Sequence, residues 1–491
     1  MLTKHSLVLP LFALLVSANL TLAEKPNIVL IFADDQGWKD VGYQSGGKFL
    51  TPNIDRLTTQ GMVFTDAYAA AGNCAPSRAC LLSGNYTPRH HVYAVNSTAR
   101  GPKEIRRVVP IPNRSGLAPD VLTMAEALKA AGYATGHFGK WHLAGDDGAL
   151  PSEQGFDETF DSFGDGELKE GSKGNKKGPP HDPKGVFALT HRACDFIERN
   201  QDKPFFCYLP HHAIHGPLQL TPATKLIIEK HNTGNKPSTA YLGCTYDMDA
   251  SVGILLSKLK ELDLEKNTLV IYTSDNGSTS ASSQEPLRGN KGCYYEGGIR
   301  EPFVARWPGV IVPGETSSVP ISLVDLFPTF LDAAGASVPA AKKLDGESLL
   351  PLFKQEGDLQ RSAIFWHFPG YLNQAVTRGR DPVFRTRPVS VIRKGDWKLH
   401  LYHEEWNLDG GMTTLESNDS VELYNMADDI GERNNLASAQ TATRDELLGD
   451  LLAWIESTEA KFASEPNLDY DANAHKQADA AQKKKGNRRK K

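Results

Sequence analysis

The chain is poor in cysteine. It has six among 491 residues, at positions 74, 80, 194, 207, 244 and 293, and no pair has CxxC spacing. That excludes zinc ribbons and thioredoxin-like redox chemistry, and the low count excludes a small scaffold held by disulfides. Long apolar runs are also scarce. After the first 23 residues none is long enough to cross a bilayer as a helix, so no transmembrane segment is expected. No internal repeat is present. Neither sign of charge dominates (net −5, with 23% charged residues), and no nucleic-acid partner is expected. What remains is an ordinary globular composition of 40% hydrophobic residues, rich in loop formers with 43 glycines and 30 prolines.

Residues 1–23 read as a signal peptide. Lys4 and His5 form a short polar start, Leu7 to Val16 an apolar stretch, and Thr21-Leu22-Ala23 a small-residue cleavage context. No cysteine follows the apolar run, which disfavours a lipid anchor. The mature protein is expected to start near Glu24, exported to a periplasm or secreted. At the other end, seven of the last nine residues are Lys or Arg. From about Pro466 the apolar content falls, predicting a disordered basic tail over 466–491.

Three segments share one design. Pro26 to Ala33 is a continuous apolar run ending in Asp34-Asp35. Asn267 to Thr273 ends in Ser274-Asp275-Asn276-Gly277, and Pro204 to Leu209 ends in His211-His212. Continuous apolar runs fit strands buried on both faces of a parallel sheet. Open α/β sheets place ligands at the carboxyl ends of such strands. Helical spacing over Asn53–Gln60, Val121–Ala131 and Tyr241–Leu262 lies between. The prediction is an α/β fold, a large mainly parallel sheet sandwiched by helices over 24–360. Past residue 360 the pattern changes. Ser390 to Leu401 reads as two strands around a Lys-Gly-Asp turn, Ser420–Tyr424 as a strand and Arg444–Ile455 as a helix. This predicts a smaller α+β subdomain on an antiparallel sheet over 361–465.

The adjacent carboxylates Asp34 and Asp35, with Asp275 and Asn276 at another strand end, suit a hard cation with oxygen ligands. The lack of histidine in both pairs favours calcium or magnesium over zinc. Lys140 and His142 in Gly139-Lys140-Trp141-His142 pair a cation with an imidazole, two residues apart on one side of an extended segment. His212 and His215 cluster after the third strand, and histidine moves protons near neutral pH. Lys291, in the glycine-rich stretch 287–300, offers a point charge to an oxyanion. Each segment alone would read as a surface loop or turn.

Cys74-Ala75-Pro76-Ser77-Arg78, continuing Ala79-Cys80-Leu81-Leu82-Ser83-Gly84, resembles the signature of the type I, formylglycine-dependent sulfatases of the alkaline-phosphatase-like superfamily. In that family the cysteine is oxidised to formylglycine. The other segments occur there in the same order, over roughly residues 25 to 460, and the chain looks most like secreted bacterial carbohydrate sulfatases of the arylsulfatase A-like kind. The resemblance implies sulfate ester hydrolysis. Asp34, Asp35, Asp275 and Asn276 would hold one Ca²⁺, with residue 74, as 3-oxoalanine, a further ligand. Arg78 would hold the hydrated aldehyde, and Lys140 and Lys291 would grip the sulfate. Asp275 would help deprotonate the attacking hydroxyl, His215 would protonate the leaving alcohol, and His142 would take the second hydroxyl's proton. The implied partners are a sulfated glycan and a formylglycine-generating maturation enzyme. Ala144 stands where the family commonly has glycine, and a Cys80–Cys293 contact near the site is conceivable.

Substrate signals are weaker. Arg89-His90-His91, His211, Trp366-His367 and the Arg378–Arg387 loop place cationic and aromatic residues in expected loops. They suit a sulfated polysaccharide or its oligosaccharides, with galactose- or N-acetylgalactosamine-type units favoured. The alternatives are a phosphodiesterase or phosphonate hydrolase of the same superfamily, against which the Asp/Asn metal set speaks, and a non-catalytic calcium-dependent glycan-binding protein.

Overall fold

A computed structural model describes residues 25–145, 147–161, 180–231, 237–478 and 480. The expected signal peptide and the Lys/Arg cluster of the tail lie outside the described residues.

The main sheet has eight strands: Asn27–Ala33 (β1), Met62–Phe64 (β2), Ala134–Gly139 (β3), Glu158–Asp161 (β4), Phe205–Pro210 (β5), Thr268–Ser274 (β6), Val304–Arg306 (β7) and Glu315–Ser317 (β8). Their spatial order is β4-β3-β5-β1-β6-β7-β2-β8. The five strands from β4 to β6 are mutually parallel, and β7 alone runs against its neighbours β6 and β2.

Every residue of β1 is buried, and the period of two explains its unbroken apolar sequence. Ile28, Leu30 and Phe32 enter one core while Val29, Ile31 and Ala33 enter the other. β6 divides likewise, Leu269 and Ile271 against Val270 and Tyr272. Each such aliphatic side chain contributes about 1.5–3 kcal/mol by its burial. One core is closed by the helices Cys74–Ser83, Met124–Ala130 and Leu326–Ala333, the other by Val186–Arg199 and Thr239–Glu261.

The C-terminal subdomain is an antiparallel sheet of Ala363–Phe368, Val389–Lys394, Trp397–Tyr402 and Val421–Asn425, in that order, with helix Thr441–Ser457 packed on it. The Lys-Gly-Asp turn falls at Gly395-Asp396, as the sequence implies. The subdomain is joined to the short helix Glu296–Ile299 by a buried ionic cluster. Lys398 Nζ lies 2.7 Å from Glu296 and 3.0 Å from Glu432, and Glu296 also takes Arg300 at 2.6 Å. Such a cluster is specific rather than strongly stabilising. Here it fixes the segment that follows Lys291.

One difference from the sequence expectation lies at the C-terminus. The first part of the expected disordered tail, residues 466–478, is held against the segment 103–109. Pro466 bridges Val108, Asn467 Nδ2 donates to the Lys103 and Arg106 carbonyls at 2.8 and 2.7 Å, and Ala474 and Ala478 pack beside Ile105 and Val108. Hydrogen bonds from asparagine do there what apolar content does elsewhere.

Candidate active site

Four adjacent parallel strands, β3, β5, β1 and β6, end at one edge of the sheet, and the chain just after each delivers a functional side chain. β1 leads to Asp34-Asp35, β6 to Asp275-Asn276, β3 to Lys140 and His142, and β5 to His212 and His215. Asp35 leaves the strand with φ of 67°, which turns it into the cavity beside Asp34. Its backbone N–H donates to Asp275 Oδ1 at 3.1 Å, tying the two strand ends together.

Cys74 opens the helix Cys74–Ser83, all ten residues of which are buried. Arg78 follows four residues on, one turn along the same face. Gly84 ends the helix at φ 64°, its N–H returning to the Cys80 carbonyl, and a Cβ there would meet Leu344 at 2.6 Å. Arg78 is completely buried. Its Nε and Nη2 donate to Asp275 Oδ2 at 3.0 and 2.7 Å, its Nη1 donates to the Lys140 carbonyl at 3.1 Å, and its guanidinium lies 5.1 Å from the Phe32 ring centroid.

The remaining groups converge on the same point. Lys140 Nζ donates to Asp34 Oδ2 at 2.8 Å, and His212 Nδ1 donates to the same oxygen at 3.0 Å. Lys291 Nζ hydrogen-bonds Asp35 Oδ1 and lies 3.2 Å from Cys74 Sγ. His215 Nδ1 donates to the Gly216 carbonyl at 2.7 Å, leaving Nε2 turned to Asp35 Oδ2 at 3.8 Å. His142, at φ 64°, breaks the extended path expected for the segment 139–143, so Lys140 and His142 do not project as a strand pair.

Burial sets the electrostatics, and the neighbouring charges decide its outcome. Burial opposes ionisation of Asp34, but Lys140, His212, His215 and Arg78 overcome it and hold the carboxyl well below its usual range. Asp275 goes the other way. Burial and the Asp34 charge push it up to about 7 despite Arg78 and Lys140. Burial raises the Cys74 thiol. It also lowers His142, assisted by Lys140, and lowers His212 to about 3, so both imidazoles are neutral at physiological pH.

The donor set fits a hard divalent cation. Carboxylate oxygens of Asp34, Asp35 and Asp275 lie within 4.8 Å of one another, and Asp34, Cys74 and His215 form a second such group. Asp34 Oδ1 and Asn276 Oδ1 are buried without a hydrogen-bond partner among the described residues. Asn276 Nδ2 is instead engaged by Asp35 Oδ1 at 2.8 Å, which leaves its oxygen available. Two buried acceptors with no donor, among three carboxylates, are what an oxygen-liganded ion requires.

A model described as Sulfatase matches residues 26–336, and one described as N-sulphoglucosamine sulphohydrolase, C-terminal, matches 289–457. The chain belongs to the sulfatase family. This sulfatase is 33% identical over 480 residues to arylsulfatase A of Homo sapiens, covering 89% of this chain and 88% of that protein. It is 35% identical over 491 residues to N-acetylgalactosamine-6-sulfatase of Rattus norvegicus, covering 90% and 87%. The crystal structure of Ps i-CgsB in complex with k-i-k-neocarrahexaose matches it with a TM-score of 0.69 at 27% identity, over 94% of this chain and 98% of that one. The fold is alkaline-phosphatase-like, and the protein is a sulfuric ester hydrolase.

The structure brings Asp34, Asp35, Cys74, Arg78, Lys140, His142, His215, Asp275, Asn276 and Lys291 of the sulfatase to one strand edge. His212 is an addition, since its bond to Asp34 gives it a place at the site that the sequence reading left to His215. The signal was the three-residue spacing of the two histidines, which brings their rings to 4.8 Å. The substrate-loop expectations need correction. His211 is buried beside Ser251, Trp366 Nε1 donates to the Ala69 carbonyl, and His367 lies between Ser390 and Lys461. His90 is buried against Cys80, and Arg89 pairs with Asp345. These are packing roles. Cys80 and Cys293 do not meet: one faces His90, the other donates to the Asn290 carbonyl, and all six cysteines are free.

Proposed function

We propose that the protein removes sulfate from a sulfated polysaccharide or its oligosaccharides, using an aldehyde made from Cys74 by a maturation enzyme, with one Ca²⁺ held by Asp34, Asp35, residue 74, Asp275 and Asn276. The observation that carries this reading is the convergence of three carboxylates, two orphaned oxygens and Lys291 on Cys74. The glycan class is supported by the N-acetylgalactosamine-6-sulfatases among its relatives and by the neocarrahexaose complex of Ps i-CgsB. Galactose- or N-acetylgalactosamine-type units are favoured on that ground. Export is supported by the composition of residues 1–23. No helix among the described residues is long and apolar enough to cross a membrane.

When mature and loaded, the centre supplies a hydrated aldehyde as nucleophile toward sulfur and a cation that offsets charge on the sulfate oxygens. The chain's own groups do the rest. Arg78 fixes Asp275 and balances negative charge at the helix start. Lys291 Nζ and Lys140 Nζ present cations where charge grows in the transition state, preorganised by Asp35 and Asp34. The Gly216 carbonyl can only accept, so His215 Nδ1 carries a proton. Nε2 is then the atom that donates to the leaving alcohol when the ring is charged. His142, kept neutral by burial, takes up a proton from the second hydroxyl. Asp275, whose charge acts on residue 74, is placed to take up the first.

Sulfate release from a panel of sulfated glycans, run beside phosphate mono- and diesters, tests the reading. Preferential release of sulfate from glycans is expected, and preferential phosphate ester hydrolysis would contradict it.

A further inference from the structure

The C-terminal side of the site carries two guanidiniums that the chemistry above does not use. Arg385 lies in the short strand Phe384–Thr386, which pairs with Leu372–Asn373. Arg100 is fastened next to that hairpin. Its backbone N–H donates to the Tyr371 carbonyl at 3.2 Å, and Ala99 bridges Tyr371. The Tyr371 and Phe384 rings, 5.0 Å apart, pack the two segments together.

Arg385 is also tied to the catalytic loop. Its Nη1 donates to the Lys291 carbonyl at 2.9 Å. Its Cδ occupies the space a side chain at Gly292 would need, 2.3 Å from where a Cβ would stand, and Gly292 has φ of 91°. Lys291 Nζ in turn lies 3.2 Å from Cys74 Sγ. One residue, Lys291, thus links Arg385, through its backbone carbonyl, to the nucleophile position, through its Nζ.

The ion pairing around Arg385 is lopsided. Arg378 pairs with Glu285 at 3.5 Å, Arg380 with Glu422 at 2.8 Å, Arg387 with Glu405 at 2.7 Å and Arg393 with Asp66 at 3.4 Å. Arg385, the other arginine of this stretch, has no carboxylate within 4.0 Å among the described residues, and neither has Arg100. Their own hydrogen bonds go to neutral acceptors: Lys291 O, Gln374 O and Gln374 Oε1 for Arg385, Val95 O for Arg100. Both side chains are half-buried, and each keeps N–H donors beyond these bonds. Burial and then the Arg385 charge push Arg100 down, while Cys74 acts in the opposite sense. The two segments lie side by side: Gly101, next to Arg100, faces the ring of Phe384, next to Arg385, where a Cβ would stand 2.7 Å from it. Two partly desolvated like charges without a counter-ion raise the free energy of the empty rim, and a bound anion relieves it.

We infer that Arg100 and Arg385 form a second anion site at the rim of the sulfate pocket, which takes a further sulfate or a carboxylate of the substrate glycan. Either group matches the planar donor fork of a guanidinium. This rests on the glycan-sulfatase reading and narrows it to glycans with a second negative charge close to the scissile sulfate.

The test compares matured wild type, Arg100→Gln and Arg385→Gln on an aryl sulfate, a monosulfated disaccharide, and two counterparts of that disaccharide carrying a second sulfate or a carboxylate. For wild type, kcat/KM is expected to be at least about 10-fold higher for a doubly charged disaccharide than for the singly charged one, with the preference shrinking as salt rises. Which counterpart is preferred identifies the second group. Each substitution is expected to remove most of that preference, bringing the ratio toward one, mainly through KM. The preference is a ratio, so a misfolded fraction cancels from it, and Arg100→Lys, which keeps charge but loses the fork, is expected to fall between. A wild type without preference, or variants that keep it, would overturn the inference. Absence of sulfate release from all four substrates would instead overturn the parent reading, and this one with it.

Discussion

Lys291 Nζ stands between Asp35 and Cys74, hydrogen-bonded to Asp35 Oδ1 and 3.2 Å from Cys74 Sγ. Burial opposes its charge, yet Asp35, Cys74, Asp34 and Asp275 hold it well above the ordinary lysine range. It is a charged group, fixed by one acid, where the proposed reaction puts a sulfate oxygen. Lys291→Ala is expected to lower kcat on an aryl sulfate by about 10²- to 10³-fold, while the melting temperature stays within a few degrees of wild type. Unchanged kcat would remove Lys291 from the reaction.

His215 should matter in proportion to how badly the leaving group needs a proton. An alcohol does, whereas a nitrophenol leaves readily as its anion. His215→Asn is therefore expected to slow release of sulfate from a sugar alcohol by about 10²- to 10⁴-fold and to affect nitrophenyl sulfate far less. Equal losses on both substrates would assign His215 to binding rather than proton donation.

The carboxylates of Asp34, Asp35 and Asp275 are each paired with a protein cation, and a divalent ion bound among them would stabilise the cluster further. Chelator treatment should lower the melting temperature, and Ca²⁺ should restore it. Calcium at 100 times its dissociation constant adds about 2.7 kcal/mol of stability. Asp275→Asn should blunt that response. A melting temperature indifferent to both chelator and calcium would exclude the site.

A pH test is available away from the active centre. Asp249, on the helix Thr239–Glu261, accepts hydrogen bonds from the N–H groups of Asn53 and Ile54 at 2.9 and 2.8 Å, at the start of helix Pro52–Gln60. Burial nevertheless pushes its carboxyl up to about 6, against about 3.9 in an unfolded chain. The folded state therefore binds the proton more tightly, and stability from this group is present at low pH and falls as pH rises from about 4 through 6. Asp249→Asn keeps the accepting oxygen and removes the titration. Relative to wild type, the variant is expected to gain stability on the order of 2 kcal/mol between pH 4.5 and 7. A constant difference across that range would refute the shift.

Much of the site was legible in the sequence because its signals are local. An apolar run with no polar interruption can be a strand only if both faces are covered, as β1 is by Phe32 on one side and Ile31 on the other. A polar cluster at the end of such a run then marks the ligand edge. Strand order was not legible, because nothing local says that the ends after β5 and β6 flank the end after β1. The substrate loops misled for a related reason. Trp366 and His367 read as sugar-facing, yet they sit in a strand whose two faces are both covered, one by Tyr68 and the other by His403. Arg100 gave no signal at all. Only the fold places its segment beside the hairpin that carries Arg385, with neither arginine within 4.0 Å of a carboxylate among the described residues.

Everything in the proposed reaction depends on residue 74 of the working enzyme being an aldehyde that acts on sulfate esters. Mass spectrometry of the peptide spanning Cys74, taken from protein purified in its natural host and active in sulfate release, tests this most directly. The expected mass is that of 3-oxoalanine or its hydrate at position 74, in a fraction that tracks specific activity. Full multiple-turnover activity from protein whose residue 74 is entirely unmodified cysteine would contradict it.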